Sequence, residues 1–209
     1  MIEPGNEMPV LAPLTHSFES DRFHVVGGPS GAGKTTLLSI LSLTVKAHRG
    51  MVQWGDQNLT ALPAAAQALW RRDHLGMVFQ TSRLVSVMTA FEHVYLAAAI
   101  RRREDAVERG TEMLASLGMA DKRHHLPSQL SGGEKQRVAI AQALCAEPRV
   151  LLADEPTAAL DARNAELVAY TLRTYARTSG AVVICVSHDR VVIDAADDLL
   201  MLDRPQGDI

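Results

Sequence analysis

Residues 28–35 read Gly-Pro-Ser-Gly-Ala-Gly-Lys-Thr, and no other stretch constrains the fold as tightly. The spacing is that of a phosphate-cradling loop, with Gly28, Gly33, Lys34 and Thr35 at its defining positions. An apolar run at 23–26 leads into it, and 35–43 follows as a helical segment with apolar residues at 37, 38, 40, 41 and 43. Strand, loop and helix are therefore expected in that order. Unpaired N–H groups at the helix start curl around an anion and lend it their partial positive charge. Glycines at 28, 31 and 33 let the backbone approach phosphate oxygens without a Cβ in the way. In such a loop Lys34 reaches the β- and γ-phosphates and the Thr35 hydroxyl ligates Mg2+. Binding of a nucleoside triphosphate is the first implication.

The 209 residues are 47% hydrophobic, enough to bury a core, and with aromatics at 4% that core must be aliphatic. A net charge of -3 leaves no basic footprint, so no nucleic-acid partner is expected. Cys145 and Cys185 lie in apolar segments without paired spacing and read as buried, reduced thiols of a cytoplasmic protein. No run of 18 apolar residues and no signal segment occurs. The chain is expected not to cross a membrane, though it can dock on a protein that does.

Along the chain, short strands are expected near 10–14 and 17–18, then at 51–54 and 76–79, the last delivering Gln80. A helix or irregular stretch is read at 59–69, and a mostly helical insertion at 86–130 whose charged stretch at 101–105 suits a solvated face. The core resumes at 150–153, which ends in Asp154 and Glu155. A helix follows at 162–176, with Asp161 as N-cap and Gly180 as stop, then strands at 181–186 and 199–202. Apolar, non-alternating strands separated by helices indicate a parallel sheet covered on both faces.

A second sharp signal is Leu-Ser-Gly-Gly-Glu-Lys-Gln at 130–136, opening a helix that runs to about Cys145. Ser131 and Glu134 have capping-box spacing. Two glycines at this helix start make another place where backbone N–H groups meet phosphate. One nucleotide loop does not need a second such start; a dimer does. With Val78-Phe79-Gln80, Leu151-Leu152-Ala153-Asp154-Glu155-Pro156, Ala159-Leu160-Asp161 and Ser187-His188-Asp189 in order, the chain resembles the ATP-binding subunit of an ABC transporter over nearly its whole length. Residues 72–80, 89–92 and 153–157 are similar to the lipoprotein-releasing and macrolide-exporter branch.

That resemblance implies an α/β P-loop NTPase fold with a parallel-sheet core, antiparallel edge strands and a helical subdomain at about 86–130. One ABC-type ATP-binding domain would span 1–209. It implies that ATP and Mg2+ bind and that ATP is hydrolysed. Ser30, Gly31, Ala32 and Thr36 join Gly28, Gly33, Lys34 and Thr35 around the nucleotide. Asp154 holds Mg2+ through water, Glu155 activates the attacking water, Gln80 senses metal and γ-phosphate, and His188 contacts the γ-phosphate. Ser131, Gly132 and Gly133 meet the γ-phosphate on the opposite subunit, and Asp161 communicates across that interface. The implied partners are a second copy or a related ATPase subunit, and an integral membrane permease on whose cytoplasmic face the chain sits at the inner membrane.

The pattern departs from the family in places. Family members open with an adenine-stacking aromatic, but residues 1–7 hold no Tyr, Phe or Trp, and Phe18 and Phe23 sit too near the loop to replace it. The start reads as clipped, and a lost stacking contact costs on the order of 1 kcal/mol. Gln142 stands where arginine is common, Ala158 where serine or glycine is, and Ser187 where threonine is. Two other functions fit less of the sequence. A regulatory or mechanical coupler would use ATP binding without moving solute; a soluble DNA-repair ATPase would carry coiled coils or a zinc module, for which 81–130 is too short. His124 and His125 lack a third ligand at metal spacing.

Overall fold

A computed structural model describes residues 10–102 and 104–204. The elements run β1 (Arg22–Gly27), α1 (Lys34–Leu41), β2 (Gln53–Trp54), β3 (Gln57–Asn58), α2 (Ala64–His74), β4 (Leu75–Val78), α3 (Ala90–Ile100), α4 (Ala106–Ser116), α5 (Gly132–Cys145), β5 (Val150–Asp154), α6 (Ala162–Ser179), β6 (Val182–Val186), α7 (Arg190–Asp194) and β7 (Asp198–Met201). The main sheet has five strands in the order β4-β5-β6-β1-β7, every neighbouring pair parallel. Among the described residues, antiparallel pairing is confined to the β2–β3 hairpin.

The apolar runs of β5 and β6 are explained by two cores, one on each face of the sheet. Leu151, Ala153, Val183 and Cys185 point with Phe23 and Val25 into a core shared with α3, α4, α5 and α6. Val150, Leu152, Ile184 and Val186 point the other way, onto Leu37 and Leu38 of α1 and Trp70 of α2. Each buried Leu or Ile contributes roughly 1.5–3 kcal/mol by leaving water. Because both faces are covered, neither can be polar, and strand alternation disappears from the sequence. The same division puts α1 and α5 on opposite faces, with both their N-termini toward the carboxyl edge of the sheet.

Several boundaries differ from expectation. Residues 10–18 contain no strand; Pro13 has no N–H for a ladder, and the chain here passes over the loop, the Val10 carbonyl lying where a Cβ on Gly33 would be. Segment 59–69 divides into a 3-10 turn at Leu59–Ala61, capped by the Asn58 side chain, and a helix that starts after Pro63. The short helix α7, capped by Asp189, was not anticipated. Arg101 is no solvated charge. Its guanidinium donates to the carbonyls of Leu75 and Ala146, each at 2.8 Å, and burial lowers its pKa. It ties the end of α3 to β4 and to the end of α5; residue 103 of that stretch lies outside the described residues.

Candidate functional site

The loop between β1 and α1 is built by its glycines. Gly28 has φ 136° and a Cβ there would lie 2.4 Å from the Leu202 carbonyl oxygen; Gly33 has φ 87° and would meet the Val10 carbonyl at 2.5 Å. Gly33 is also the N-cap of α1. It offers no side-chain cap, and the first turn of the helix carries no acid. The orphan N–H groups there have no side chain competing for an anion. Lys34 Nζ arches back over the loop and donates to the carbonyls of Gly28 at 2.8 Å and Pro29 at 3.0 Å. Ser30 is exposed, Ala32 buried and Thr36 half-buried along the same turn.

At the end of β5 lies the acidic pair. Thr35 Oγ1 donates to Asp154 Oδ2 at 3.2 Å across 119 residues of sequence. Burial raises the pKa of Asp154, partly offset by that Thr35 hydrogen bond. This hydroxyl beside a half-buried carboxylate is a hard-oxygen donor set of the kind Mg2+ prefers. Glu155 adopts φ 45°, a left-handed conformation uncommon outside glycine that costs about 1 kcal/mol or more. Its N–H donates to the Val186 carbonyl at 2.9 Å, anchoring the turn to the end of β6. Its Oε1 lies 2.8 Å from His188 Nδ1, while Ser187 Oγ donates weakly to Oε2 at 3.4 Å. The hydrogen bond to Glu155 raises the pKa of His188, which is otherwise exposed.

A frame of buried Thr157 and Ser187 and half-buried Asp189 flanks the His188–Glu155 contact. Thr157 Oγ1 donates to Asp189 Oδ2 at 2.8 Å, Asp189 N–H donates to Ser187 Oγ at 3.0 Å, and Asp189 Oδ1 caps α7 through Val191 N–H at 3.0 Å. The loops after β5 and β6 are thereby latched together. Thr157 and Asp189 stood in quoted motifs, but nothing in sequence linked them to one another.

Among the described residues, the remaining expected residues make no hydrogen bond to this group. Gln80 follows β4 and is exposed. Asp161 caps α6, accepting from Asn164 N–H at 2.9 Å. Ser131, Gly132 and Gly133 open α5, where the full capping box forms: Glu134 N–H donates to Ser131 Oγ at 3.2 Å and Ser131 N–H donates to Glu134 Oε2 at 2.8 Å. Glu134 also accepts from Lys122 Nζ at 2.5 Å, and its pKa falls to about 2, chiefly through that lysine. Gly133 packs where a Cβ would lie 3.0 Å from Leu160. Among the described residues no hydrogen bond joins this helix start to the loop at 28–35.

One link does join α5 to the Gln80 strand. The Gln136 side chain is buried and its Nε2 donates to the Phe79 carbonyl at 2.9 Å. Sequence reasoning had Gln136 in the motif and gave it no task. Its place one helical turn inside an apolar stripe was the available clue.

Comparison with known proteins bears on the whole arrangement. The family model described as "ABC transporter" matches residues 11–158. An uncharacterised ABC transporter ATP-binding protein of Mycobacterium tuberculosis is 41% identical over 177 residues, covering 84% of this chain and 53% of that protein. The lipoprotein-releasing system ATP-binding protein LolD of Anaeromyxobacter dehalogenans is 37% identical, covering 93% of this chain and 84% of its own length. The macrolide export ATP-binding/permease protein MacB of Rhodospirillum rubrum is 39% identical, with 95% and 31% covered. The chain thus spans about half the length of the first curated relatives it matches, at 53%. Among solved structures, the dimeric bacterial ABC transporter cassette MJ0796 superposes with a TM-score of 0.88 at 32% identity, covering 100% of this chain and 93% of that one. A post-hydrolysis state of that cassette, bound to ADP and Pi, gives 0.87.

Proposed function

The chain belongs to the ABC transporter family, and from that premise we propose that it is an ATP-hydrolysing subunit that closes as a dimer to power a membrane transporter or exporter. One observation carries the reading. The phosphate loop, the Thr35–Asp154 pair and the Glu155–His188 pair converge at the carboxyl edge of one parallel sheet, where α/β sheets place their ligands.

ATP is the substrate. Its β- and γ-phosphates rest on the uncapped start of α1, with the Lys34 ammonium reaching them and Ser30, Gly31, Ala32 and Thr36 shaping the loop. Thr35 and Asp154 would hold Mg2+, with Gln80 approaching from β4; when bound, the ion neutralises phosphate charge. Glu155 takes the proton of the attacking water. His188 keeps Oε1 occupied at 2.8 Å, leaving Oε2, held only loosely by Ser187, to face that water. His188 then has its ring edge free to meet the γ-phosphate.

The other half of the site comes from a partner. Ser131 uses its oxygen as acceptor in the cap, so its O–H hydrogen is free to donate to a γ-phosphate. With Gly132 and Gly133 it serves ATP bound by the opposite subunit, and Asp161 lies on that interface. Splitting the donors between two chains makes hydrolysis conditional on closure. The dimeric form of the similar cassette supports this. The partner is a second copy or a related ATPase.

Relatives named for macrolide export and lipoprotein release support a place in that branch, with an integral permease as membrane partner. No helix among the described residues is long and apolar enough to cross a membrane, in keeping with a peripheral place on the cytoplasmic face of the inner membrane. The test is Glu155→Gln. It is expected to keep ATP binding, slow hydrolysis by about 10²–10⁴-fold and trap a dimer on sizing columns with ATP. Hydrolysis at the parental rate would remove Glu155 from the proposed role.

A further inference from the structure

Near the amino end of β1, where the segment leading to that strand folds against β7, three ligand-bearing side chains meet. His16, His24 and Asp198 bring one nitrogen or oxygen each to within 4.8 Å of one another. His24 Nδ1 lies 3.0 Å and His16 Nε2 3.6 Å from Asp198 Oδ2. Two ligands on a tetrahedral zinc ion at ordinary bond lengths stand about 3.3 Å apart, and these separations bracket that value.

The hydrogen positions sharpen the case. His24 is buried, and its Nε2 lies 2.9 Å from the Glu19 carbonyl, which can only accept, so Nε2 carries a hydrogen. Nδ1 faces a carboxylate oxygen at 3.0 Å. Two acceptors at 3.0 Å need something positive between them, either a second proton on the ring or a cation. A ligating histidine whose other nitrogen donates to a backbone carbonyl is the usual outer-shell arrangement of a metal site. His24 and Asp198 are register partners on adjacent strands, so the sheet itself fixes that edge. The neighbouring Asp197 is committed to Phe23 N–H, Arg173 and Arg177, leaving Asp198 alone to face the imidazoles.

We propose that His16, His24 and Asp198 form a Zn2+ site that staples the segment preceding β1 to the β1–β7 edge of the sheet. Two imidazoles and one carboxylate select a borderline metal over Mg2+, and the exposure of His16 beside a half-buried Asp198 leaves room for water as fourth ligand. This site is separate from the nucleotide reading and stands without it. The same segment continues back to Val10, whose carbonyl lies against Gly33, so the ion would also steady the chain over the phosphate loop.

The experiment uses the full chain, stripped with a chelator, dialysed against Zn2+ and assayed for bound metal and thermal melting in the absence of nucleotide. One equivalent of zinc is expected, with a rise in melting temperature of several degrees that equal Mg2+ does not produce. Co2+ in its place should give the visible bands of a tetrahedral ion. His16→Ala, an exposed change that leaves the core intact, should weaken zinc binding at least tenfold and abolish the shift. His124→Gln, on a surface pair elsewhere, should change neither. No bound zinc, or equal binding and shift in His16→Ala, would overturn the proposal and leave His24 and Asp198 as a proton-bridged pair.

Discussion

Two helix starts in this molecule carry glycines beside a polar residue, and their chemistry is opposite. At α1 the cap is a left-handed glycine, no acid enters the first turn, and the Lys34 ammonium bends back over the loop. At α5 a complete capping box is closed and Glu134, pinned by Lys122, already sits in the first turn. The first start is free to receive a whole anion. The second has satisfied two donors internally, the Ser131 and Glu134 N–H groups, and keeps in reserve the N–H groups of Gly132 and Gly133 and one hydroxyl hydrogen. A helix dipole alone does not make a phosphate site; what competes for its first N–H groups decides.

The largest expected separation between these starts is kinetic. Ser131→Ala should slow hydrolysis by about 10²–10³-fold, the usual loss for one donor to a developing charge, while single-chain ATP affinity stays put in a fluorescence titration. A fall in affinity of the isolated chain would mean both starts serve one nucleotide. Lys34→Ala should do the reverse at binding, weakening ATP by roughly 10- to 100-fold as a charge-assisted hydrogen bond is lost. Unchanged binding there would deny α1 its role.

Smaller effects probe what joins the two regions. Gln136→Leu removes the buried donor to the Phe79 carbonyl and should cost about 1–3 kcal/mol in a denaturant melt. A neutral result would make that link dispensable. The smallest effect concerns pH. The folded pKa of Glu134 is about 2 against an ordinary 4.5. Its stabilisation is therefore complete above about 4.5 and is lost as pH falls toward 2. Glu134→Gln should flatten stability across that window, with equal slopes in both proteins counting against the cap.

Much of this was legible because it is local. The loop at 28–35, the Ser131–Glu134 box and the Asp161 cap each depend on residues a few positions apart, and backbone geometry leaves them little freedom. Arg101 was misread for the same reason. A charged run looks solvated until the carbonyls of Leu75 and Ala146, distant in sequence, turn toward it. The strands expected at 10–18 failed because edge pairing needs a neighbour, and Val10 instead lies against the loop.

By itself the amino-acid order determined the parallel α/β core, the nucleotide loop and the family, since these rest on short-range spacing and on apolar runs that only a doubly covered sheet can hide. Tertiary structure alone decided that Glu155 faces His188, that Thr157 latches Asp189, that α1 and α5 take opposite faces, and that His16 and His24 meet Asp198. Those contacts close across tens to more than a hundred residues, where the strand order sets which side chains become neighbours: β5 beside β6 for the first two, β1 beside β7 for the last.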